Sequence, residues 1–426
     1  MANHGLITSH ALDRLDETER QLWSAQRRPL IEEYCWWPDH YFDPQQYPRI
    51  APYQLVIDGL PFHYPPRSVV QYHWCMTETD DGPRVTPAPE VPNQHWSFMR
   101  DGIAHYVSAI CDDLRAGRSE DAARRMGILL HVFQDTHELH ALEGPWGADF
   151  FVLDRLIEMA PSPQHLTPTM LISNHPCDRV DIGDYRPALQ GASTEEATFR
   201  LYGAYVASAL ANRLHHVPLV MALTAGDTAA ADQLLVEIND RLARLSADLL
   251  HTVTALATGR FDDQQFESLR CHRLSLSTAV QRPWFAQGHY HMTGILEDTC
   301  LDRQRRRQPM ALLQTDGSTR RFEHGWGSGA HQHMALAFDV PAGVYDHVSM
   351  QVGLHEPMGR AGRVAWEARL DGRVVAEQAL QSSAPTLDVR IPIERGGELR
   401  FVWRDHGAAD PDDNNLVWGE PRLCKR

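Results

Sequence analysis

The stretch Met126-Gly127-Ile128-Leu129-Leu130-His131-Val132-Phe133-Gln134-Asp135-Thr136-His137-Glu138-Leu139-His140 reads as an apolar helix that carries imidazoles and a carboxylate. On a helix of about 3.6 residues per turn, His131 and Asp135 project from one face and can grip one ion. The hydrocarbon around them (Ile128, Leu129, Leu130, Val132, Phe133) predicts burial, and a buried carboxylate is costly unless it is paired or coordinates a cation. His140 lies roughly 140° beyond Asp135 on a continuous helix, so it reaches the same pocket only if the helix ends between them. A helix end is therefore expected there. The plainer alternative is a His–Asp hydrogen bond at a helix surface.

The neighbouring segments extend the helical reading. Ser119-Glu120-Asp121 opens this helix with negative charge at its N-terminus, which favours the helix dipole. Before it, Ile103, Val107, Ile110 and Leu114 recur at helical spacing and predict a helix from about Trp96 to Ala116, ended by Gly117. His105 on that helix reads as a core or hydrogen-bonded histidine. Beyond a loop-rich span from Pro161 to Gly191, Ala/Leu-rich helices are expected from Glu195 to about Val217 and from Thr228 to about Thr258, closed by Gly259, as walls of a helical core. At the other end, His4 to Ala11 predicts a helix running to about Leu15 with Ser9 as N-cap. Residues 45–95, rich in proline and aromatics, read as an irregular insertion. Its Tyr72, His73 and Trp74 either cover the pocket and shape its substrate or form a structural lid.

From 321 the period changes to two. Val348-Met350-Val352-Leu354, Val364-Trp366-Ala368-Leu370, Leu387-Val389-Ile391-Ile393 and Leu399-Phe401-Trp403 alternate with polar residues, and Asp371-Gly372 sits between two runs as a hairpin turn. The expected fold is multidomain: a mostly α-helical metal-binding domain followed by an antiparallel β-sandwich. The boundaries read as 1–265 for the helical domain, 266–320 for a linker and the start of the second domain, and 321–426 for the sandwich.

The chain of 426 residues, 43% hydrophobic, is long enough for about two or three domains with sizeable cores. Forty Lys and Arg against 56 Asp and Glu leave a net charge of −16, which repels a nucleic-acid backbone or an anionic membrane. The basic run Arg303-Gln304-Arg305-Arg306-Arg307 reads as a solvated loop or docking contact. Seven scattered cysteines with no Cys-x-x-Cys pair suit a reduced compartment. The first residues lack a basic segment followed by an apolar run, and no window approaches 18 continuous apolar residues. The expectation is a soluble, cytoplasmic protein acting on a small molecule, with no nucleic-acid or membrane partner.

Gly127, His131, Asp135 and His140-Ala141 resemble the central motif of the zinc-dependent phospholipase C and single-strand nuclease superfamily, with one residue fewer between Asp and His and no proline there. The resemblance implies two or three divalent ions, zinc first. It also supplies roles for other residues. His10 matches a ligand His near the start of that family's mature chain, and His4 can supply an imidazole where the family uses a terminal amine. His40-Tyr41-Phe42-Asp43-Pro44 is similar to the family's His-aromatic-aromatic-Asp-Pro segment, whose His binds metal. Glu33, or Glu32, stands for an upstream acidic ligand and general base, and Asp135 is able to bridge two ions. After His140 the family has a further His and an acidic ligand. No histidine lies between His140 and His165 here, so Asp154 and Glu158, four apart, are expected to complete that position. Such an oxygen-rich set suits manganese or iron as well as zinc.

The final hundred residues resemble a second module, the NPCBM carbohydrate-binding domain. The resemblance lies in Gly325-Trp326-Gly327-Ser328-Gly329-Ala330-His331, Val348 to Leu354, Leu370-Asp371-Gly372-Arg373, Leu399 to Trp403 and Asn415 to Gly419. It implies a jelly-roll-like sandwich, which either holds a sugar or packs on the metal domain. Together the two resemblances imply metal-activated hydrolysis of a phosphoester in a small, phosphorylated or glycosylated molecule. Two alternatives stay open: a lyase, oxidase or non-phosphate hydrolase using the same metals, and a glycan-binding protein with a degenerate metal site.

Overall fold

The structure, a computed structural model, describes residues 3–40, 46–57, 60–62, 74–79, 82–87, 94–137, 175–281, 295–302, 304, 306–329, 334–357, 361–381 and 386–425. The chain divides into two compact units, Met1–Phe266 and Glu267–Arg426. The first is helical and the second an antiparallel β structure, as the change of period from 3.6 to two predicts.

The helices are α1 (His4–Asp13), α2 (Glu17–Trp23), α3 (Arg27–Glu32), α4 (Trp37–His40), α5 (Gln94–Arg115), α6 (Ser119–Gln134), α7 (Thr194–Ala225), α8 (Thr228–Thr258) and α9 (Asp263–Ser268). Small hairpins pair β1 (Val56–Ile57) with β2 (Leu60–Pro61) and β3 (Trp74–Thr79) with β4 (Gly82–Pro87). The core is built round α6, whose residues from Met126 to Gln134 are all buried. A helix apolar on every side belongs at the centre of a bundle, and α6 packs against α5, α8 and the 3-10 turn Tyr34–Trp36. That turn lies so close that a Cβ on Gly127 would come within 2.5 Å of Tyr34 Cβ. Gly5 makes the matching approach on α1, where a Cβ would lie 2.7 Å from the Ile31 carbonyl oxygen.

Two helix boundaries differ from expectation. Asn3, not Ser9, caps α1, its Oδ1 accepting from the Leu6 amide at 3.0 Å. Ser9 therefore lies inside the helix and His4 becomes its first residue. The burial of Ile7, Ala11 and Leu12 explains the early start, since all three need one continuous helical face. The second difference is α7, which runs through Pro218 to Ala225 and closes at Gly226, at φ 73°. Proline forfeits one backbone hydrogen bond, but Leu219 beyond it packs with Ala231, Leu235 and Ile238 of α8, which keeps the helix going.

The second unit contains β5 (Cys271–Arg273), β6 (Ala279–Gln281), β7 (Leu296–Glu297), β8 (Cys300–Leu301), β9 (Arg307–Gln308), β10 (Met310–Leu313), β11 (Thr319–Phe322), β12 (Gly325–Gly329), β13 (Met334–Val340), β14 (His347–Leu354), β15 (Arg363–Leu370), β16 (Arg373–Gln381), β17 (Leu387–Pro392), β18 (Gly397–Asp405) and β19 (Asn415–Cys424). One sheet runs β17-β14-β19-β12-β7, with β5 also on β19, and the other runs β16-β15-β18-β13-β6. Their inner faces meet through aromatics: Trp326 stacks on Phe338 at 5.3 Å, and Trp418 meets Trp366 at 5.3 Å and Trp403 at 5.6 Å. The β15–β16 turn is Asp371-Gly372 at φ 49° and 77°, the left-handed pair that a two-residue hairpin requires. The residues before 321 supply β5, β6 and β7 to these sheets. Cys271 and Cys424 stand opposite each other in the β5–β19 register and form a disulfide, unlike the wholly reduced thiols expected from their scatter in sequence. No helix of the described residues is long and apolar enough to cross a membrane.

Candidate metal centre

Three elements converge at the C-terminal end of α6. That helix ends at Gln134, and Asp135–His137 form a 3-10 turn, the helix end expected before His140. His131 and Asp135 face one pocket, His131 Nε2 lying 3.1 Å from Asp135 Oδ2. From α1, His4 places its Nε2 3.6 Å from Asp135 Oδ1 and stacks on the His131 ring at 4.0 Å. From α4, Asp39 reaches both imidazoles, Oδ2 lying 3.7 Å from His4 Nε2 and Oδ1 3.7 Å from His131 Nε2. His4, Asp39 and His131 present ligand atoms all within 4.8 Å of one another, and Asp135 closes on both histidines. The side chains of His4, His131 and Asp135 are 3%, 0% and 10% exposed and that of Asp39 is 22% exposed, so the pocket opens on the Asp39 side.

The outer hydrogen bonds decide what the pocket can hold. His131 Nδ1 donates to the Cys35 carbonyl at 2.7 Å. A carbonyl only accepts, so this bond fixes the proton on Nδ1 and leaves Nε2 of the neutral ring as a lone pair. His4 Nδ1 faces Gln134 Oε1 at 2.8 Å, which leaves its Nε2 in the same state. Two imidazole Nε2 atoms and two carboxylates then point inwards. Of these, His4, Asp39 and His131 form a group that could hold a metal ion. The Asp39 and Asp135 oxygens lie 3.1–3.7 Å from the two Nε2 atoms, each carboxylate turning one oxygen to each histidine. Burial would push the His131 pKa down, but Asp135 and then Asp39 more than offset it, so the net direction is upward: the pocket draws positive charge to that nitrogen.

The expected ligands fare unevenly. His131, Asp135 and His4 come together. His40 does not join them, because adjacent helical residues point about 100° apart and it is Asp39 that turns inwards. His40 is exposed on α4, its ring 6.4 Å from that of Trp36. His10 lies partly exposed on α1, within electrostatic range of Asp240 on α8 and outside the cluster. Glu33 is not in the cluster either: Arg49 pairs with its carboxylate at 2.8 Å and the Trp37 indole donates to it at 3.3 Å. Glu32 pairs with Arg28 on the surface. His140, Asp154 and Glu158 lie outside the described residues, as do Tyr72 and His73. Asp39 was missed in the sequence although its signal was present. It precedes the favoured histidine in a short segment whose Trp37 and Pro38 are buried, so one of the two neighbours had to face the core side.

Comparison with known proteins bears mostly on the second unit. Residues 293–424 match the NPCBM/NEW2 domain. No curated protein matches the chain. Among solved structures, the CBM51-2 and INT domains of Clostridium perfringens ZmpB share 16% identity over 31% of this chain and 28% of that one, with a TM-score of 0.27. The chain thus spans little more than a quarter of that relative. The CBM51 of Clostridium perfringens GH95 in complex with methyl-galactose shares 20% identity over 32% of this chain and 90% of that one, with a TM-score of 0.27. Alpha toxin from Clostridium absonum aligns over 100% of this chain and 94% of its own at 10% identity and a TM-score of 0.32.

Proposed function

We propose that the first unit is a metal-dependent hydrolase of a small phosphoester and that the NPCBM/NEW2 domain of the second unit holds a glycan, so that the substrate is a glycosylated or glycan-borne molecule. The observation that supports the first part is the convergence of His4, Asp39 and His131, with Asp135 against both histidines and both Nδ1 atoms engaged elsewhere. His4, His131 and Asp135 would hold a divalent ion from the buried side, and Asp39 would close the set from the open side. Zinc suits two imidazoles and two carboxylates; iron and manganese share that preference in part. When bound, such an ion would supply Lewis acidity towards an ester oxygen and acidify a water near neutral pH.

The remaining work falls to the chain. Asp39, the most exposed of the four, is the carboxylate that an entering substrate meets. His131 and His4 stay as they are because their Nδ1 protons are held. Further ligands from His140, Asp154 and Glu158 would bring a second ion and extend the site, with Asp135 between the two. The test is turnover of p-nitrophenyl phosphate mono- and diesters by the full-length chain reconstituted with zinc. Chelator-sensitive hydrolysis that disappears in His131→Ala is expected. Metal bound at full stoichiometry without hydrolysis of any ester tested, together with oxygen-dependent turnover, would move the site to the oxidase alternative, which the 2-His-1-carboxylate trio also suits.

A further inference from the structure

The two inward-facing imidazoles are held in the same state by different means. His131 faces a backbone carbonyl, whose role is fixed. His4 faces a side-chain amide, which donates at one end and accepts at the other, so the way the amide points decides which His4 nitrogen carries the proton. We propose that Gln134 is a positioning residue that makes His4 a ligand: its amide, pinned by Thr8 and Ser246, keeps the His4 proton on Nδ1 and leaves Nε2 for the metal. This rests on the metal reading of the same pocket.

The pinning follows from the hydrogen-bond inventory. Gln134 Nε2 donates to Thr8 Oγ1 at 3.0 Å and to Ser246 Oγ at 3.2 Å, while Oε1 meets His4 Nδ1 at 2.8 Å. Gln134, Thr8 and Ser246 are fully buried. Both hydroxyls are placed to accept from the amide nitrogen. The amide NH2 thus faces Thr8 and Ser246, and its oxygen faces His4. Turned the other way, the NH2 would donate to Nδ1 and drive the His4 proton to Nε2, into the space the metal needs. His131 is held separately, by the Cys35 carbonyl. Gln134 with its two hydroxyl partners thus sets the His4 imidazole, and Ser246 ties α8 to the pocket. Outer partners of this kind typically change metal affinity 10–100-fold.

The experiment compares the full-length chain with Gln134→Met, which keeps the bulk without the acceptor, and Gln134→Glu, which restores it. A carboxylate accepts from His4 at one oxygen and from the two hydroxyls at the other. Cobalt(II) and zinc affinities are measured by chelator competition, and the His4 tautomer of the metal-free protein by long-range proton–nitrogen correlation at about pH 9, where free imidazoles are neutral. Gln134→Met is expected to weaken binding about 10–100-fold and to lose the Nδ1–H form of His4, while Gln134→Glu recovers both. A packing role alone predicts lower melting temperatures in both variants with unchanged affinity and tautomer, and that result overturns the proposal. If the parent chain binds no metal, the hydrolase reading fails, yet the tautomer still decides the role of Gln134: Nδ1–H retained in Gln134→Met refutes it.

Discussion

At the scale of single residues, the centre depends on negative charge facing lone pairs. Asp135→Asn keeps the shape but replaces one carboxylate oxygen with an NH2 that points donor hydrogens at the ion, so loss of bound metal and a rate lower by orders of magnitude are expected. Asp39→Asn should behave alike, because Asp39 touches both imidazoles. His40→Asn and His10→Asn should leave metal content unchanged, since neither ring enters the cluster. Equilibrium dialysis of the four variants against zinc checks this, and a full metal complement in Asp39→Asn would remove Asp39 from the site. A second residue-scale prediction concerns His251 of α8. Its Nδ1 meets Glu19 Oε1 and its Nε2 meets Gln265 Oε1, each at 2.6 Å. The Gln265 amide donates to the Pro187 carbonyl at 3.1 Å, so its oxygen must face the ring, and only a doubly protonated imidazole satisfies both sides.

Burial would lower the His251 pKa, but the Glu19 hydrogen bond and charge outweigh it, and the net direction is upward. The stabilisation is then complete below about pH 6.5, the unfolded value, and is lost as pH rises through the higher folded one. Nearby Asp248 works in the same direction, because burial pushes its carboxyl up to about 6: it favours the fold at low pH and loses that contribution as pH rises through about 6. The first unit should therefore lose stability from mildly acidic to alkaline pH. His251→Gln should flatten the upper part of that slope in denaturant titrations, and an unchanged slope would show that the ring is neutral in the fold.

At the scale of elements, the close approach of α6 to the Tyr34–Trp36 turn carries the site. Gly127→Ala puts a methyl where Tyr34 stands, so the turn must shift, and with it the Cys35 carbonyl that holds His131. Overpacking of this kind costs about 1–3 kcal/mol, and weaker zinc binding should accompany the loss. Chemical unfolding and zinc titration of the same variant check both effects. The helices were legible because their apolar spacing is strong. His131 and Asp135 could be read as a pair because both lie on one helix at a spacing that fixes a shared face. Which of His4 or His10, and which of Asp39 or His40, completes the pocket was not legible. That choice depends on where α1 starts and on a rotation of about 100° between neighbours, and a cap at Asn3 rather than Ser9 settles the first. Gln134 was invisible for a related reason, since its partners Thr8 and Ser246 are distant in sequence.

At the scale of the whole molecule, the division at Phe266–Glu267 separates two cores of different kinds. The sandwich needs strands from before residue 321, as β5 lies on β19 and β6 on β13. Residues 267–426 expressed alone should therefore fold as a β-rich unit with a cooperative melt, whereas 321–426 should not, because it leaves those strand edges bare. Circular dichroism of the two fragments decides it. In the longer fragment Cys271 and Cys424 should resist alkylation until a reductant is added. For the full chain, zinc binding to the folded state alone should raise the melting temperature, and chelation should reverse the gain. The most direct test of the metal centre is elemental analysis of the purified full-length chain beside Asp135→Asn. At least about one equivalent of zinc, iron or manganese in the parent chain and a clear deficit in the variant are expected for a site with this donor set. Less than about a tenth of an equivalent in the parent chain after reconstitution would mean that the four side chains form only a buried ion-pair cluster.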